Sequence, residues 1–361
     1  SLYGRSGMVH YASQLANALS KYHEVFILVP TYTPQSYFSK EVKLLRIEAP
    51  PSVIKTALLT VNPIHFWQII HKIHTIHPQI IHFLDNHPWY LFLLPSLRRY
   101  KLMVTQHDVQ AHPGEYMRGK MSILVHSILN RYADFIIVHG ENLRNILIKK
   151  GFEPHKVKVI PFGDNSLFLK WKKKNMHRKP GTLLFFGRIL YYKGLDIFLR
   201  AVIHLKTLAD CPPLRVVIAG EGSLDPYQEW LQKLSKELKE ELVIMNDYIP
   251  DNEIAPLFQQ AEIVVLPYRE ASQSGVVHIA YTFKKPVIVT SVGSLPEVVE
   301  QEKTGIIIPP EDPVQLSKAM LLLLKDTKKQ KKLGRAGYTK MKKELGWDTI
   351  AQRITDLYKE I

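Results

Sequence analysis

The sequence predicts an α/β protein built from two doubly wound, Rossmann-like domains that face a cleft. Short apolar runs rich in β-branched residues alternate with helical patterns, which is typical of parallel sheets covered by helices. The alternation stops once, at the polar and basic segment 164–180, and then restarts. A chain of 361 residues is also too long for one ordinary core. We therefore expect two domains joined by a basic linker at 164–180.

The first domain is predicted over 1–163. A glycine loop, Gly4–Gly7, leads directly into a helical pattern at 8–20, although such a loop normally follows a strand. We therefore expect the first strand to be absent from this sequence or replaced. Further strands are predicted at 25–29, 42–47, 80–84, 102–105, 135–138 and 157–160, and helices near 88–98, 119–132 and 141–149. The segment 53–76 is apolar and carries few charges.

The second domain is predicted over 181–346, and a last helix at 347–361 is expected to return to the first domain. Its strands are predicted at 183–186, 216–219, 242–245, 263–266, 286–290 and 306–308. Its helices are predicted at 195–208, 225–238, 252–260, 276–283, 314–324 and 328–345.

The stretch 261–297 organises this second domain, because twice in it a buried strand runs into a loop of small residues and a helix start. The first loop carries one acid, Glu270, and ends at Ser274, Gly275 and Val276. Free N–H groups at a helix N-terminus attract anions, so we expect a phosphate there. The alternative is that the glycine serves only a tight turn.

Two cations follow the first strand of the second domain. Gly187 and Arg188 stand at the strand end, and Lys193 lies five residues beyond Arg188 at a helix start. Arginine offers a fork for phosphate oxygens and lysine a mobile point charge, an arrangement that suits a diphosphate leaving group. A capped helix with surface cations is the alternative.

The net charge of +15 indicates acidic partners, either nucleotides, nucleic acid or an anionic membrane surface. Basic residues cluster at 170–179, around Trp171, and at 325–343. A single cysteine, Cys211, excludes an internal disulfide. No apolar run approaches the ~18 residues of a membrane span, and no signal-peptide core is present. A cytoplasmic protein is expected, with the inner face of the cell membrane as a further location.

Several motifs in this order resemble the family 4 glycosyltransferases, retaining enzymes of the GT-B fold. The resemblance covers nearly the whole chain and is strongest over 183–312. It rests on Gly187-Arg188 with Lys193-Gly194, on 217–222 (VIAGEG), on 249–254 (IPDNEI), on Gly293 with Glu297, on Thr304-Gly305, on Ser6-Gly7 and on 105–108 (TQHD). The family usually has two glutamates eight positions apart; here the first is Glu270 and the second is replaced by His278.

The resemblance implies a retaining transfer of a sugar from a nucleotide diphosphate donor to a hydroxyl of a glycan or lipid-linked acceptor, in polysaccharide or cell-envelope glycan synthesis. Glu270 and His107 would contact the donor sugar, and Arg188 and Lys193 would neutralise the diphosphate. The remaining donor-binding residues would be Gly7, Met8, Gly187, Gly220, Glu221, Gly222, Tyr248, Ile249, Ser274, Gly275, Val276 and His278. No cofactor and no metal are expected, because no Asp-x-Asp pair stands at a strand end.

Other functions stay open at this stage. A catalytically inactive sugar-nucleotide-binding scaffold is the main alternative, because the second glutamate is missing. A nucleic-acid-binding module is suggested by charge alone, but the chain lacks interleaved aromatic residues, so no nucleic-acid partner is expected. A nicotinamide dehydrogenase would need a G-x-G-x-x-G turn after a strand, and none is present. His71, His74 and His77 have helical spacing but no cysteine or paired acid beside them, so packing or an acceptor surface is favoured over zinc.

Overall fold

The computed structural model of the protein describes residues 2, 7–49, 53–111 and 116–361. The predicted loop residues Gly4 and Ser6 lie outside these ranges. The chain forms two compact units. Unit 1 holds the described residues up to Gly163 together with Leu345–Ile361, and unit 2 holds Asp164–Glu344.

The described strands of unit 1 form two parallel sheets, one of order β1-β2 and one of order β3-β4-β5-β6. The strands are β1 (Phe26–Pro30), β2 (Lys43–Ile47), β3 (Ile80–Phe83), β4 (Lys101–Thr105), β5 (Phe135–Val138) and β6 (Val157–Val159). The helices are α1 (Gly7–Leu19), α2 (Val53–Thr60), α3 (Pro63–Ile76), α4 (Trp89–Leu97), α5 (Tyr116–Tyr132) and α6 (Glu141–Lys149).

Both faces of the four-stranded sheet are buried, which explains its continuous apolar strands. Leu102 and Val104 point into one core, whereas Met103, between them, points into another. The apolar segment 53–76 forms α2 and α3, and Asn62 caps the second of these helices by accepting a hydrogen bond from the Ile64 N–H at 3.0 Å.

Unit 2 contains one parallel sheet of six strands in the order β9-β8-β7-β10-β11-β12. These are β7 (Thr182–Phe186), β8 (Arg215–Ala219), β9 (Leu242–Met245), β10 (Ile263–Leu266), β11 (Val287–Thr290) and β12 (Gly305–Ile308). The helices are α7 (Leu195–Thr207), α8 (Gln228–Leu238), α9 (Asp251–Gln260), α10 (Gly275–Thr282), α11 (Leu295–Val298), α12 (Pro313–Lys325) and α13 (Thr327–Glu344). This is the dinucleotide-fold order 3-2-1-4-5-6, whose direction of winding reverses between β7 and β10.

The segment 164–180, expected to be an irregular linker, is structured and belongs to unit 2. It contains a 3₁₀ helix, Ser166–Trp171, whose Phe168 is buried. Gln259 at the end of α9 holds the following turn by two hydrogen bonds with the backbone of Lys173, at 2.9 and 2.8 Å. The residues of 164–180 show no helical or strand periodicity. Contacts with α9, which is distant in sequence, stabilise this segment instead.

The last helix, α14 (Trp347–Glu360), packs within unit 1. The Trp347 ring lies so close to Gly163 that a Cβ there would be 2.2 Å from the ring. Tyr358 hydrogen-bonds His82 of β3 at 2.9 Å. Among the described residues, no helix combines the length and the apolar character that crossing a membrane requires.

Candidate functional site

The loops after β7 and β8 lie side by side at the carboxyl edge of the unit 2 sheet, and glycines allow this approach. A Cβ on Gly220 would lie 2.1 Å from the Gly187 carbonyl oxygen, and one on Gly222 would lie 2.4 Å from that of Ile189. The Ile189 N–H also donates to the Glu221 carbonyl at 2.7 Å. The predicted glycine turn therefore serves close backbone packing here.

Lys193 sits above the strand end at the point where the sheet reverses its winding. Its Nζ would be 2.8 Å from a Cβ on Gly187, so the ammonium lies over the bare backbone of the β7 loop. The same ammonium lies 5.3 Å from the centre of the Tyr268 ring, which follows β10. The position of a Gly187 Cβ is also 3.9 Å from Val276 in the first turn of α10. One cation, one glycine loop and one helix start thus converge at the switch point.

The start of α10 carries the N–H groups expected to bind phosphate. The helix begins at Gly275, and the first N–H groups of a helix have no intrahelical acceptor. Ser274 precedes it and its hydroxyl lies 3.4 Å from the Tyr268 hydroxyl. Asn165 donates to the Gly275 carbonyl at 3.0 Å, which fixes this first turn from the segment before β7.

Arg269 fixes the loop that carries Glu270. Its guanidinium makes a bidentate ion pair with Asp196 in the first turn of α7, with N–O distances of 2.8 and 2.7 Å. Its Nε donates to Glu311 at 2.9 Å, and its backbone N–H donates to the Tyr192 carbonyl at 2.7 Å. The hydrogen bond to Asp196 is the main reason that the pKa of Arg269 is raised.

These contacts connect the two predicted catalytic segments of unit 2. Tyr192 and Asp196 flank Lys193, whereas Arg269 directly precedes Glu270. Glu270 itself is exposed, as is Arg188. The loop after β11 packs directly against the loop that carries Glu270, since a Cβ on Gly293 would lie 1.5 Å from the Ala271 carbonyl oxygen.

The predicted donor-binding residues Gly220–Gly222, Tyr248 and Ile249 lie after the ends of β8 and β9. Asn246 accepts a hydrogen bond from the Gly222 N–H at 3.1 Å and so ties the two loops together. Glu221 and Tyr248 are exposed, the latter by 46%, whereas Ile249 is buried. The exposed ring of Tyr248 is of the kind on which a nucleotide base can stack.

His278, which replaces the family's second glutamate, lies in the middle of α10 and is 1% exposed. Burial lowers its pKa to about 4, so the ring is neutral at neutral pH. A neutral imidazole can exchange one hydrogen bond with a ribose hydroxyl and brings no negative charge. Its role in donor binding stays a prediction.

The residues predicted in the first domain lie in unit 1. Gly7 and Met8 form the first turn of α1, where a Cβ on Gly7 would meet no atom within 4 Å. His107 follows β4 and is 6% exposed. Its Nδ1 lies 2.9 Å from His139 Nε2, and its Nε2 lies 3.1 Å from the Leu84 carbonyl oxygen. A sugar hydroxyl can therefore bond this ring only by replacing one of these two partners.

Sequence reasoning missed several side chains that shape the site: Asp196, Asn246, Tyr268, Arg269 and His139. An acid in the first turn of α7 and an arginine beside Glu270 were visible in the sequence, yet their pairing joins positions 73 residues apart. In the described part of the chain, no three His, Cys, Asp or Glu side chains form a group that could bind a metal ion.

Comparisons with known proteins agree with this architecture. The family model described as Glycosyltransferase Family 4 matches residues 5–163, and the model described as Glycosyl transferases group 1 matches residues 180–326. The chain is 30% identical over 247 residues to a D-inositol 3-phosphate glycosyltransferase of Thermomonospora curvata, covering 63% of this chain and 57% of the relative. It is 28% identical over 216 residues to an uncharacterized glycosyltransferase of Methanocaldococcus jannaschii, covering 56% and 54%.

The chain thus spans little more than half the length of these two curated relatives. Among solved structures, it is similar to Anabaena HepE in complex with UDP-glucose, with a TM-score of 0.75 and 16% identity over 100% of this chain and 98% of that one. This likeness confirms the predicted pair of Rossmann-like domains. The two family matches, over residues 5–163 and 180–326, show that the chain belongs to the family 4, group 1 glycosyltransferases, and the structural likeness shows that it has the GT-B fold.

Proposed function

We propose that this protein transfers a sugar from a nucleoside diphosphate donor to a hydroxyl acceptor, with retention of the anomeric configuration. The observation that carries the proposal is the position of Lys193 over the Gly187 backbone, beside the start of α10. A cation, a bare backbone and a helix N-terminus at a switch point form a binding site for a diphosphate. Arg188 stands on the same loop and adds a second cation.

The chemistry follows from where charge develops. As the bond between the sugar and the diphosphate breaks, the leaving oxygen gains negative charge. Lys193, Arg188 and the first N–H groups of α10 stabilise that charge, and no bound metal is needed for this task. Glu270 would contact the donor sugar from the neighbouring loop, which Arg269 and Gly293 hold in place. His107 and the α1 start, with Gly7 and Met8, would add contacts from unit 1.

UDP is the first donor nucleotide to test, because the similar Anabaena protein is described with UDP-glucose. We expect UDP at 100 times its Kd to stabilise the wild type by about 2.7 kcal/mol in thermal unfolding, and GDP or ADP to stabilise it less. Lys193→Ala should abolish most of this effect. Lys236→Ala, an equal loss of charge on the exposed face of α8, is the matched control and should leave it unchanged.

Turnover separates a transferase from a scaffold that only binds the nucleotide sugar. We expect slow hydrolysis of the preferred donor by the wild type. Lys193→Ala should lower its rate about 10²–10³-fold, the usual effect of removing one preorganised charge partner. Glu270→Gln should keep UDP stabilisation but lose turnover. If the donor stabilises the wild type and Glu270→Gln equally and neither protein turns it over, the result would instead favour the scaffold.

The acceptor is proposed to be a glycan or a lipid-linked glycan precursor, and α2 and α3 support the second class. Large apolar side chains on and between these helices are exposed by 62–79%: Leu58, Val61, Ile64 and Trp67. Such a patch, in a chain of net charge +15, suits peripheral contact with an anionic membrane at the inner face of the cell membrane.

Vesicle sedimentation tests this part of the proposal. The wild type should bind vesicles that contain anionic phosphatidylglycerol more strongly than neutral phosphatidylcholine vesicles. A double substitution, Ile64→Ser with Trp67→Ser, should weaken binding, whereas Leu322→Ser, an exposed leucine of unit 2, should not. Binding that is equal in all three proteins would remove the membrane from the proposal and leave the donor chemistry intact.

A further inference from the structure

A chain of hydrogen-bonding groups crosses the carboxyl edge of the four-stranded sheet of unit 1, with one group from each strand end. The Leu84 carbonyl follows β3, His107 follows β4, His139 follows β5 and the Ile160 carbonyl follows β6. The distances are 3.1 Å from Leu84 O to His107 Nε2, 2.9 Å from His107 Nδ1 to His139 Nε2, and 2.9 Å from His139 Nδ1 to Ile160 O. Both rings are buried, with 6% and 4% exposed.

The number of protons that the two histidines hold decides whether all three contacts in this row can be hydrogen bonds. Both outer partners are carbonyl oxygens, which only accept, so each outer ring nitrogen must carry a hydrogen. Two neutral imidazoles hold one ring hydrogen each, and both are then used at the outer ends. The two inner nitrogens would face each other at 2.9 Å with lone pairs on both. All three contacts are hydrogen bonds only if the pair holds one more proton.

We propose that His107 and His139 share one extra proton, so that the pair carries a single positive charge and His139 acts as the positioning residue of His107. The shared N–H–N bond fixes the plane of the His107 ring at the carboxyl edge of β4. It also keeps a hydrogen on Nε2, which donates to the Leu84 carbonyl and would donate to a sugar hydroxyl that takes the place of that carbonyl. This inference rests on the proposed function only where it assigns His107 a place in the transferase site.

Aromatic rings pack against both histidines of the pair. The Tyr11 ring of α1 lies 4.7 Å from the His107 ring and 5.4 Å from the His139 ring, and Phe162 lies 5.3 Å from His139. In such T-shaped contacts the edge of one ring meets the face of another, so they hold the planes of both imidazole rings.

Charged and titratable groups face the pair from several elements among the described residues. Burial lowers the pKa of His107, whereas Asp108, the bond to the Leu84 carbonyl and Asp85 after β3 act in the opposite direction. His82 of β3 and His126 of α5 also face His107. Burial lowers their pKa values to about 3 and about 4, so neither ring adds charge at neutral pH. Burial is the largest of these effects, so the pKa of His107 lies below its ordinary value. The shared proton is bound below that pKa and is lost as the pH rises through it.

Nitrogen NMR of the full chain labelled with ¹⁵N in its histidine rings tests the shared proton directly. At low pH we expect one pair of rings with three hydrogens on four nitrogens and an N–H–N coupling between them. His139→Gln should abolish that signal, because the glutamine amide can donate to His107 Nδ1 without an extra proton. Two rings with one hydrogen each, at every pH at which the protein stays folded, would overturn the proposal.

Kinetics test the positioning role. In the wild type, kcat for donor turnover should fall about tenfold per pH unit above the pKa of the pair, as for one essential proton. His139→Gln should lose this pH dependence, whereas His139→Leu should lower kcat more than KM changes at all pH values. Melting curves show whether each variant is folded. An unchanged pH profile in His139→Gln would contradict the positioning role, and a shared proton without any turnover would refute only the proposed function.

Discussion

The two units place different chemistry at the carboxyl edges of their parallel sheets. In unit 2 the edge is formed by glycine loops and charged side chains, and Arg188 and Glu270 are exposed to solvent. In unit 1 the edge is a buried row of hydrogen bonds through His107 and His139. The unit 2 edge depends on backbone shape, whereas the unit 1 edge depends on how many protons its histidines hold. The two edges should therefore respond to different perturbations, glycine substitution in one and pH in the other.

The largest effect is expected from Gly293→Ala in unit 2. Gly293 has φ +54°, and a Cβ there would lie 1.5 Å from the Ala271 carbonyl oxygen, so the Glu270 loop would have to move. We expect a loss of about 3–5 kcal/mol in the free energy of unfolding, measured by urea denaturation, and loss of turnover. The control is Gly151→Ala in unit 1, with φ +92° but no atom within 4 Å of the new Cβ. It should cost only about 1–2 kcal/mol.

The next largest effect is expected from removing the ion pair between Arg269 and Asp196. Arg269 and Asp196 are 13% and 14% exposed, so Arg269→Ala leaves a largely buried carboxylate without its bidentate partner. We expect a loss of about 2–3 kcal/mol, below the 3–5 kcal/mol of fully buried pairs, together with a lower kcat because the Glu270 loop is released. Arg215→Ala breaks a half-exposed pair with Glu241 and should cost less than about 1 kcal/mol. Equal losses of unfolding free energy in Arg269→Ala and Arg215→Ala would show that the Arg269–Asp196 ion pair does not hold the Glu270 loop.

Much of unit 2 could be predicted from its sequence because its signals are local. The β7 loop with Gly187 and Lys193 and the start of α10 at Gly275 were all marked by residue types that the backbone requires. The Arg269–Asp196 pair and the folded segment 164–180 were missed, because both depend on contacts between distant positions. The histidine row of unit 1 was also missed, since His139 is unremarkable until the order of the strands is known.

Lowering the pH should destabilise unit 1 more than unit 2. The effect of each histidine should be smaller than that of the two substitutions above. Burial lowers the pKa of His82 to about 3, and those of His87 and His126 to about 4, in unit 1. In unit 2 burial lowers the pKa of His278 to about 4. Each ring is neutral when folded and binds a proton near pH 6.5 when unfolded, so stability falls as the pH drops below that value. Between pH 7.5 and 5.5 each histidine should cost about 1.3 kcal/mol.

Hydrogen exchange resolved by unit measures this difference, because it reports opening of each unit separately. Unit 1 should lose more protection than unit 2 on acidification. His126→Phe should reduce the loss in unit 1 by about 1.3 kcal/mol, since Phe fills a similar volume and does not titrate. An equal loss of protection in both units would show that the buried histidines of unit 1 are not the acid-sensitive groups.

The smallest effect concerns a feature that the two units share. Asn62 caps α3 in unit 1, and Asp312 caps α12 in unit 2 by accepting from the Gln315 N–H at 2.8 Å. Replacing either cap by alanine should cost about 1 kcal/mol in urea denaturation. Because a cap acts only on its own first turn, the two losses should agree closely even though the sheet edges differ. Asp312→Asn keeps the acceptor and should cost only a few tenths of a kcal/mol, the share of its charge at the helix N-terminus. Unequal losses from the two cap substitutions would show that the two units differ in overall rigidity. That difference in rigidity, rather than the chemistry of the sheet edges, would then be the first explanation for their different responses.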